Sequence, residues 1–101
     1  NDEIATDTKS LREVLKAVED IHPLQNIFSS CCGSNNVQVF IAEEIGLPAL
    51  VNCTVIAKAF VKDQKVAGVM AVIGPKRLDY QSVITAVDLS TNILSSALNR
   101  Q

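Results

Sequence analysis

Tryptophan is absent from this chain, histidine occurs once, and aromatic residues make up only 4% of its 101 positions. A single imidazole, His22, leaves no histidine cluster for a metal and no second ring for a proton relay; beside Pro23 it reads as a helix-end residue. Positive charge is sparse too. Nine Lys and Arg face eleven Asp and Glu, for a net charge of −2. The cations (Lys9, Arg12, Lys16, Lys58, Lys62, Lys65, Lys76, Arg77, Arg100) are scattered, so no concentrated positive face is available to displace counterions from nucleic acid. No apolar run reaches the roughly 18 residues of a spanning helix, and the start NDEIATDTKS lacks the basic-then-apolar layout of a signal peptide. The three cysteines, Cys31, Cys32 and Cys53, cannot all pair within one chain, and vicinal cysteines rarely bridge each other. These deficits predict a soluble cytoplasmic domain, with no membrane partner and no nucleic-acid binding of its own. A start at Asn1 rather than Met points to a piece of a longer protein.

Chemistry-bearing patterns are equally few. A thiol nucleophile at Cys31 or Cys32 would have only His22 as its base. Glu43 and Glu44 are adjacent, and neighbours on an extended chain point apart, which suits a solvated loop better than paired acid/base work. Neither phosphate-cradling glycine motif is present. The chain is therefore read as a non-enzyme, with no catalytic, metal or cofactor residues assigned.

What the chain does have is apolar periodicity, with 48% hydrophobic residues, enough for one core. Ser10-Leu11-Arg12-Glu13 is a capping-box pattern, and Leu11, Val14, Leu15, Val18 and Ile21 recur on one helical stripe. Pro23 should stop that helix; a second short one is expected from Leu24 to about Cys31, before the loop GSNN. Together the helices occupy about 11–31. Strands are expected at about 37–42, 53–61 and 66–73, with Glu43 to Pro48 as a loop and the last two strands joined by KDQK as an antiparallel hairpin. Along the second strand Val55, Ala57, Ala59 and Val61 alternate with Ile56 and Phe60, so both faces are apolar and each needs a cover. Gly68, a glycine inside a strand, suggests close approach of another backbone or a packed aromatic.

From about 79 to 99 the pattern is helical. Val83, Ile84, Val87, Leu94 and Leu98 form a stripe that Ala86, Ile93 and Ala97 widen. The opposite face (Gln81, Ser82, Thr85, Asp88, Asn92, Ser95, Ser96, Asn99) is polar and hardly charged. Such a helix either meets a partner subunit or presents an ordinary exposed face.

The stretch VIGPKRLDY, Val72 to Tyr80, has two readings. In one, Gly74 and Pro75 end a strand, Asp79 caps the last helix, Arg77 pairs with Asp79, and Tyr80 lies against the sheet margin, making a strand-to-helix joint. In the other, Lys76 and Arg77 bind an anion or small ligand near the helix start.

Taken together, LREVLKAVED, NVQVFIAEE, LVNCTVIAKAFV and KVAGVMAVIGPKRLDYQSVI resemble the C-terminal part of the heat-inducible transcription repressor family, HrcA. Ile41-Ala42-Glu43-Glu44 stands where that family has I-G-E-E, Asn52 to Ile56 where it has an acidic residue then C-S-L-I, and Gly68 to Tyr80 where it has G-x-[IL]-G-V-I-G-P-T-R-M-D-Y. Ala42 and Ala71 replace glycines, and Lys76 replaces a threonine. The resemblance implies a GAF-like α+β fold: an antiparallel sheet with N-terminal helices and a long C-terminal helix. It also implies a dimeric repressor of chaperone genes that depends on the chaperonin GroEL and contacts operator DNA through an N-terminal winged-helix domain outside this chain. On that footing the chain is a single regulatory and dimerisation unit that lacks the first piece of its sheet. The alternative is a GAF-type effector domain that senses a small molecule, with Lys76, Arg77 and Tyr80 lining its pocket.

Overall fold

The computed structural model describes residue 12, residues 21–46 and residues 50–100. In chain order it comprises helix α1 (Ile21–Cys32), strand β1 (Gln38–Ile41), a 3-10 turn (Ala42–Ile45), strands β2 (Cys53–Lys62) and β3 (Lys65–Pro75), and helix α2 (Tyr80–Leu98). The strands form one antiparallel sheet in the order β1-β2-β3, the α+β arrangement expected from the sequence. The helix expected from Leu11 lies almost wholly outside the described residues.

β2 organises the rest. Its consecutive residues Thr54, Val55, Ile56, Ala57 and Lys58 are all buried, which an alternating strand achieves only when both faces are covered. On one face Val55 and Ala57 pack with Ile27 and Cys31 of α1 and with Ala42 and Leu50. The other face, carrying Thr54, Ile56 and Lys58, lies under α2, whose Val87 and Thr91 are buried. Burial of each Val or Ile side chain contributes about 2 kcal/mol, so this central strand concentrates the apolar stabilisation.

Several local expectations are corrected. α1 begins at Ile21 rather than Leu24, so His22 and Pro23 are helical, because a proline in a first turn breaks no bond: the first four N–H groups have no acceptor inside the helix; where the helix expected from Leu11 ends lies outside the described residues. The stretch after β1 is not a plain loop but a 3-10 turn, closed by Gly46 at φ 84°. The hairpin link is shorter than KDQK. Lys62 faces Lys65, leaving Asp63 and Gln64 as the turn at φ 53° and 66°, the left-handed pair that matches the twist of the flanking strands.

A register shift at Phe60/Val61 leaves Ala67 as the extra residue of a bulge, and Gly68 stands opposite Phe60. A Cβ on Gly68 would lie 2.5 Å from Phe60 Cζ. Of the two causes foreseen for this glycine, the packed aromatic is the one present. β3 also continues past Ile73, pairing Gly74 with Thr54 and Pro75 with Cys53.

Candidate functional site

The Gly74–Tyr80 corner is built from the end of β3 upward. A Cβ on Gly74 would come within 2.8 Å of Leu78 Cδ2, so glycine lets Leu78 lie directly on the strand, and a larger residue would push that side chain aside. The next amide, Lys76 N–H, donates to Asn52 O at 2.8 Å, and Lys76 Nζ reaches Glu43 Oε1 at 2.9 Å. Glu43 Oε1 also accepts Asn52 N–H at 3.1 Å. A closed clasp results between the 3-10 turn, the entry to β2 and the exit from β3. The Lys76 hydrogen bond, then the Asn52 amide, then the Lys76 charge hold the Glu43 carboxyl below its ordinary range.

Tyr80 Oη donates to Lys76 O at 2.8 Å and stands 3.0 Å from Thr54 Oγ1. Its one proton is committed to the carbonyl, so Thr54 is the donor in the second bond. The ring thus lies against the sheet as expected. Asp79 caps α2, accepting Ser82 N–H at 3.3 Å and Ser82 Oγ–H at 2.8 Å. Both Ser82 bonds, the side-chain one foremost, lower the Asp79 carboxyl below its usual range. The expected Arg77–Asp79 pair is not formed: among the described residues the Asp79 oxygens are taken by Ser82, and Arg77 is exposed. Gly74, Pro75, Lys76, Asp79 and Tyr80 therefore come together in a joint bonded mostly to itself; both cations are exposed, and of the two only Lys76 is in an ion pair among the described residues.

A second cluster escaped sequence reasoning. Lys58 is only 8% exposed; its Nζ donates to Asp88 Oδ1 at 2.7 Å and Asn92 Oδ1 at 3.0 Å. Further along α2, Ser95 Oγ accepts Val61 N–H at 3.0 Å, while Asn99 accepts Asp63 N–H at 2.8 Å and donates to Val61 O at 3.3 Å. β1 pairs with β2 only from Thr54 to Ala57, so these side chains satisfy backbone groups that β1 no longer reaches. One edge of the polar face of α2 thus takes part in the seam with the sheet, beside the buried Val87 and Thr91 and the half-buried Val83, Ile84, Leu94 and Leu98. Ala86 and Ala97 are exposed, as are Leu89 and Ile93 at 58% each. The expected orientation of the helix is corrected accordingly: its contact face is centred on Val87 and Thr91 and extends to the polar side. One signal was available, a lysine amid the two-sided apolar run VIAKAFV, which needs an acidic partner if buried.

Around this seam lies a cleft of mixed character, about 450 Å³, bordered by Lys58, Asn92, Ser95 and Ser34 and by the apolar Ala59 and Val61. No residue of the corner borders it. Two apolar grooves flank β3, one of about 200 Å³ against Leu24, Ile27 and Phe28 of α1, the other of about 330 Å³ against Val83 and Ala86 of α2. Lys76, Arg77 and Tyr80 line none of the three.

The cysteines are free. Burial, with a smaller effect of neighbouring Cys32, pushes the Cys31 thiol above its ordinary range, which disfavours a thiolate. No group of three or more His, Cys, Asp or Glu suited to a metal occurs among the described residues, and no helix among them is long and apolar enough to cross a membrane.

The family model for the HrcA protein C terminal domain matches residues 1–84. The heat-inducible transcription repressor HrcA of Laribacter hongkongensis is 34% identical over 98 residues, covering 97% of this chain and 28% of that protein. The protein of the same name from Methylococcus capsulatus is 32% identical, covering 94% and 27%. The chain thus spans little more than a quarter of the length of these curated relatives. A crystal structure of a hypothetical protein at 2.2 Å resolution superposes with a TM-score of 0.76 over 90% of this chain and 27% of that one, at 21% identity. That likeness concerns the fold and is consistent with the GAF-like arrangement.

Proposed function

The chain belongs to the HrcA C-terminal domain family, and on that footing we propose that it is a regulatory and oligomerisation part of a heat-inducible transcription repressor. Operator DNA is contacted by a part of the repressor outside these residues, and this part holds two copies together in the cytoplasm. The observation that carries the reading is the outward face of α2. Ala86, Leu89, Ile93 and Ala97 fall on one side of the helix and are exposed, and no charge occurs on α2 besides Asp88, which is turned to Lys58.

Their order, small-large-large-small, reads nearly the same in both directions. An antiparallel copy of the helix would set Leu89 against Ile93 and Ala86 against Ala97, the self-complementarity that a two-fold interface requires. Replacing Leu89 and Ile93 with Lys in the full-length repressor tests this. The expected result is a shift from dimer toward monomer in sedimentation, with weaker operator binding; an unchanged dimer would remove the support.

Regulation then follows from stability. Native domains are stable by only about 5–15 kcal/mol, so a loss of 1–2 kcal/mol on heating changes the unfolded population several-fold. The exposed apolar surface beside β3 is a surface that a chaperonin such as GroEL would meet. On this reading the corner from Gly74 to Tyr80 is architecture rather than a ligand site. Chaperonin dependence is tested by ATP-driven refolding of the heat-treated repressor with and without GroEL; equal recovery in both counts against it.

The small-molecule alternative draws support from a different place than the sequence indicated. Polar groups converge at the Lys58–Asn92 cleft, not at Lys76, Arg77 and Tyr80, so a metabolite screen by thermal shift should respond to Asn92→Ala and not to Arg77→Ala.

A further inference from the structure

β1 accompanies β2 only from Gln38, opposite Ala57, to Ile41, opposite Thr54. Continuing that register would set Asn36 against Ala59, yet the pair is not made. Asn36 is held by its own loop instead: its N–H donates to Ser34 Oγ at 3.0 Å, and its C=O accepts Gln38 Nε2 at 3.3 Å. Farther along β2, Val61 gives its N–H to Ser95 and its C=O to Asn99, on the side away from β3. The backbone groups of a strand face its two neighbours alternately, so Ala59 aims its own N–H and C=O the same way as Val61. Among the described residues neither group has a partner. The edge of β2 therefore holds a gap one residue long, closed by β1 before it and by α2 after it.

That gap opens into the cleft of about 450 Å³ at the seam, which Ala59 borders together with Lys58, Val61, Val66, Asn92 and Ser95. The volume is within the range of small-molecule sites. A strand does not fit, because Ala57 and Val61 are already paired on either side and no second residue is left to continue a ladder. An anion gains little, since Lys58, the one cation among the described residues of the cleft, already has Asp88 at 2.7 Å. What is left is a donor and an acceptor side by side, and a carboxamide answers both at once with its oxygen and its N–H. Asn92 meets Lys58 through Oδ1, which leaves its NH2 for a further acceptor on the same molecule. We propose that this cleft binds a neutral small molecule through a carboxamide group held by both backbone groups of Ala59, with an apolar body against Val61 and Val66. The inference rests on the small-molecule reading of the cleft and names its ligand class; it is independent of the dimer contact assigned to α2.

Benzamide is the probe, added to the full-length repressor and compared by ligand-detected NMR with benzoate and dimethylbenzamide, neither of which has an N–H to donate. Benzamide is expected to bind at millimolar concentration and the two analogues about tenfold more weakly or worse, because each leaves the Ala59 carbonyl without its partner. Hydrogen exchange on the unmodified protein locates the contact. The Ala59 amide should exchange freely without the probe and slow by about tenfold at saturation, while that of Val61, already bonded to Ser95, changes little. Absence of benzamide binding, equal binding of all three compounds, or an Ala59 amide as protected as that of Val61 before any probe is added overturns the proposal. A ligand without an amide whose stabilising effect is abolished by Asn92→Ala would overturn the carboxamide assignment and sustain the small-molecule reading, so the two failures are told apart.

Discussion

The corner at Gly74–Tyr80 and the seam at Lys58 both join β2 to α2, yet they do so by opposite means. The corner is made by residues close in sequence: Asp79 bonds Ser82, Tyr80 bonds Lys76, and Leu78 covers Gly74. Only Glu43, Asn52 and Thr54 come from farther away. At the seam every bond spans about thirty residues or more, from Lys58 to Asp88 and Asn92 and from Val61 and Asp63 to Ser95 and Asn99. A local joint can form as the chain turns, whereas the seam exists only once α2 has docked. Its lysine is also removed from water, so its partners matter more than the exposed pairs of the corner.

That contrast orders the expected effects of substitution. Asp88→Ala should be the most damaging, since it leaves the Lys58 ammonium buried beside Asn92 alone; because Asp88 is itself half exposed, a loss of about 2 kcal/mol is expected, below the range for fully buried pairs. Urea unfolding measures it, and the double change Lys58→Met with Asp88→Leu should restore most of the loss. If Asp88→Ala were harmless, the seam would not be the firmer join.

Tyr80→Phe comes next. It removes the proton that Lys76 O accepts and the oxygen facing Thr54, with an expected cost of about 1 kcal/mol in the same measurement. Ser95→Ala, which strands one β2 amide, should be similar or slightly smaller, and amide exchange at Val61 should rise selectively.

The smallest effects belong to the exposed carboxylates of the corner. Both Glu43 and Asp79 have folded pKa values below their ordinary ones. Their stabilising contribution is therefore fully present above the unfolded carboxylate pKa, about 4, and is lost as pH falls through the lower folded values. Glu43→Gln and Asp79→Asn should each lower the urea midpoint slightly at neutral pH, and the difference from the parent protein should vanish in acid. For Glu43→Gln it should also shrink in high salt, which screens exposed pairs. A pH-independent difference would show that the carboxylate charges are irrelevant to the clasp.

The corner was legible because its cues are short-range: a glycine and proline at a strand end, an acid one residue before a helix. The partner of Lys76 was not, since Glu43 reaches it only through the pairing of β2 with β3, and Arg77 was a closer but wrong candidate. For α2, periodicity gave the helix and its inward stripe, Val83, Ile84, Val87, Leu94 and Leu98, but widened that stripe to the wrong side: Ala86, Ile93 and Ala97 are exposed, and the contact extends instead toward Asp88 and Ser95. Helical stripes are read on the assumption that apolar residues turn inward; here β2 has unpaired backbone groups beyond the end of β1, and Ser95 and Asn99 are drawn to them. The start of α1 at Ile21 rather than Leu24 was not legible, because a proline is tolerated in a first turn and no residue type marks where that turn begins.

By itself, the amino-acid order settled the strand and helix spacing, the hairpin and the two-sided apolar character of β2, because each depends on backbone geometry and side-chain alternation over a few neighbouring residues; which of two causes keeps position 68 a glycine was decided by the placing of Phe60. Tertiary structure alone decided that Lys58 is buried and paired, that Asp88, Asn92, Ser95 and Asn99 of α2 bond to β2 and the turn after it, and that β3 has a neighbour on one side only among the described residues. Those outcomes depend on which backbone groups remain unpaired after the strands have registered, a quantity that exists only in the assembled sheet.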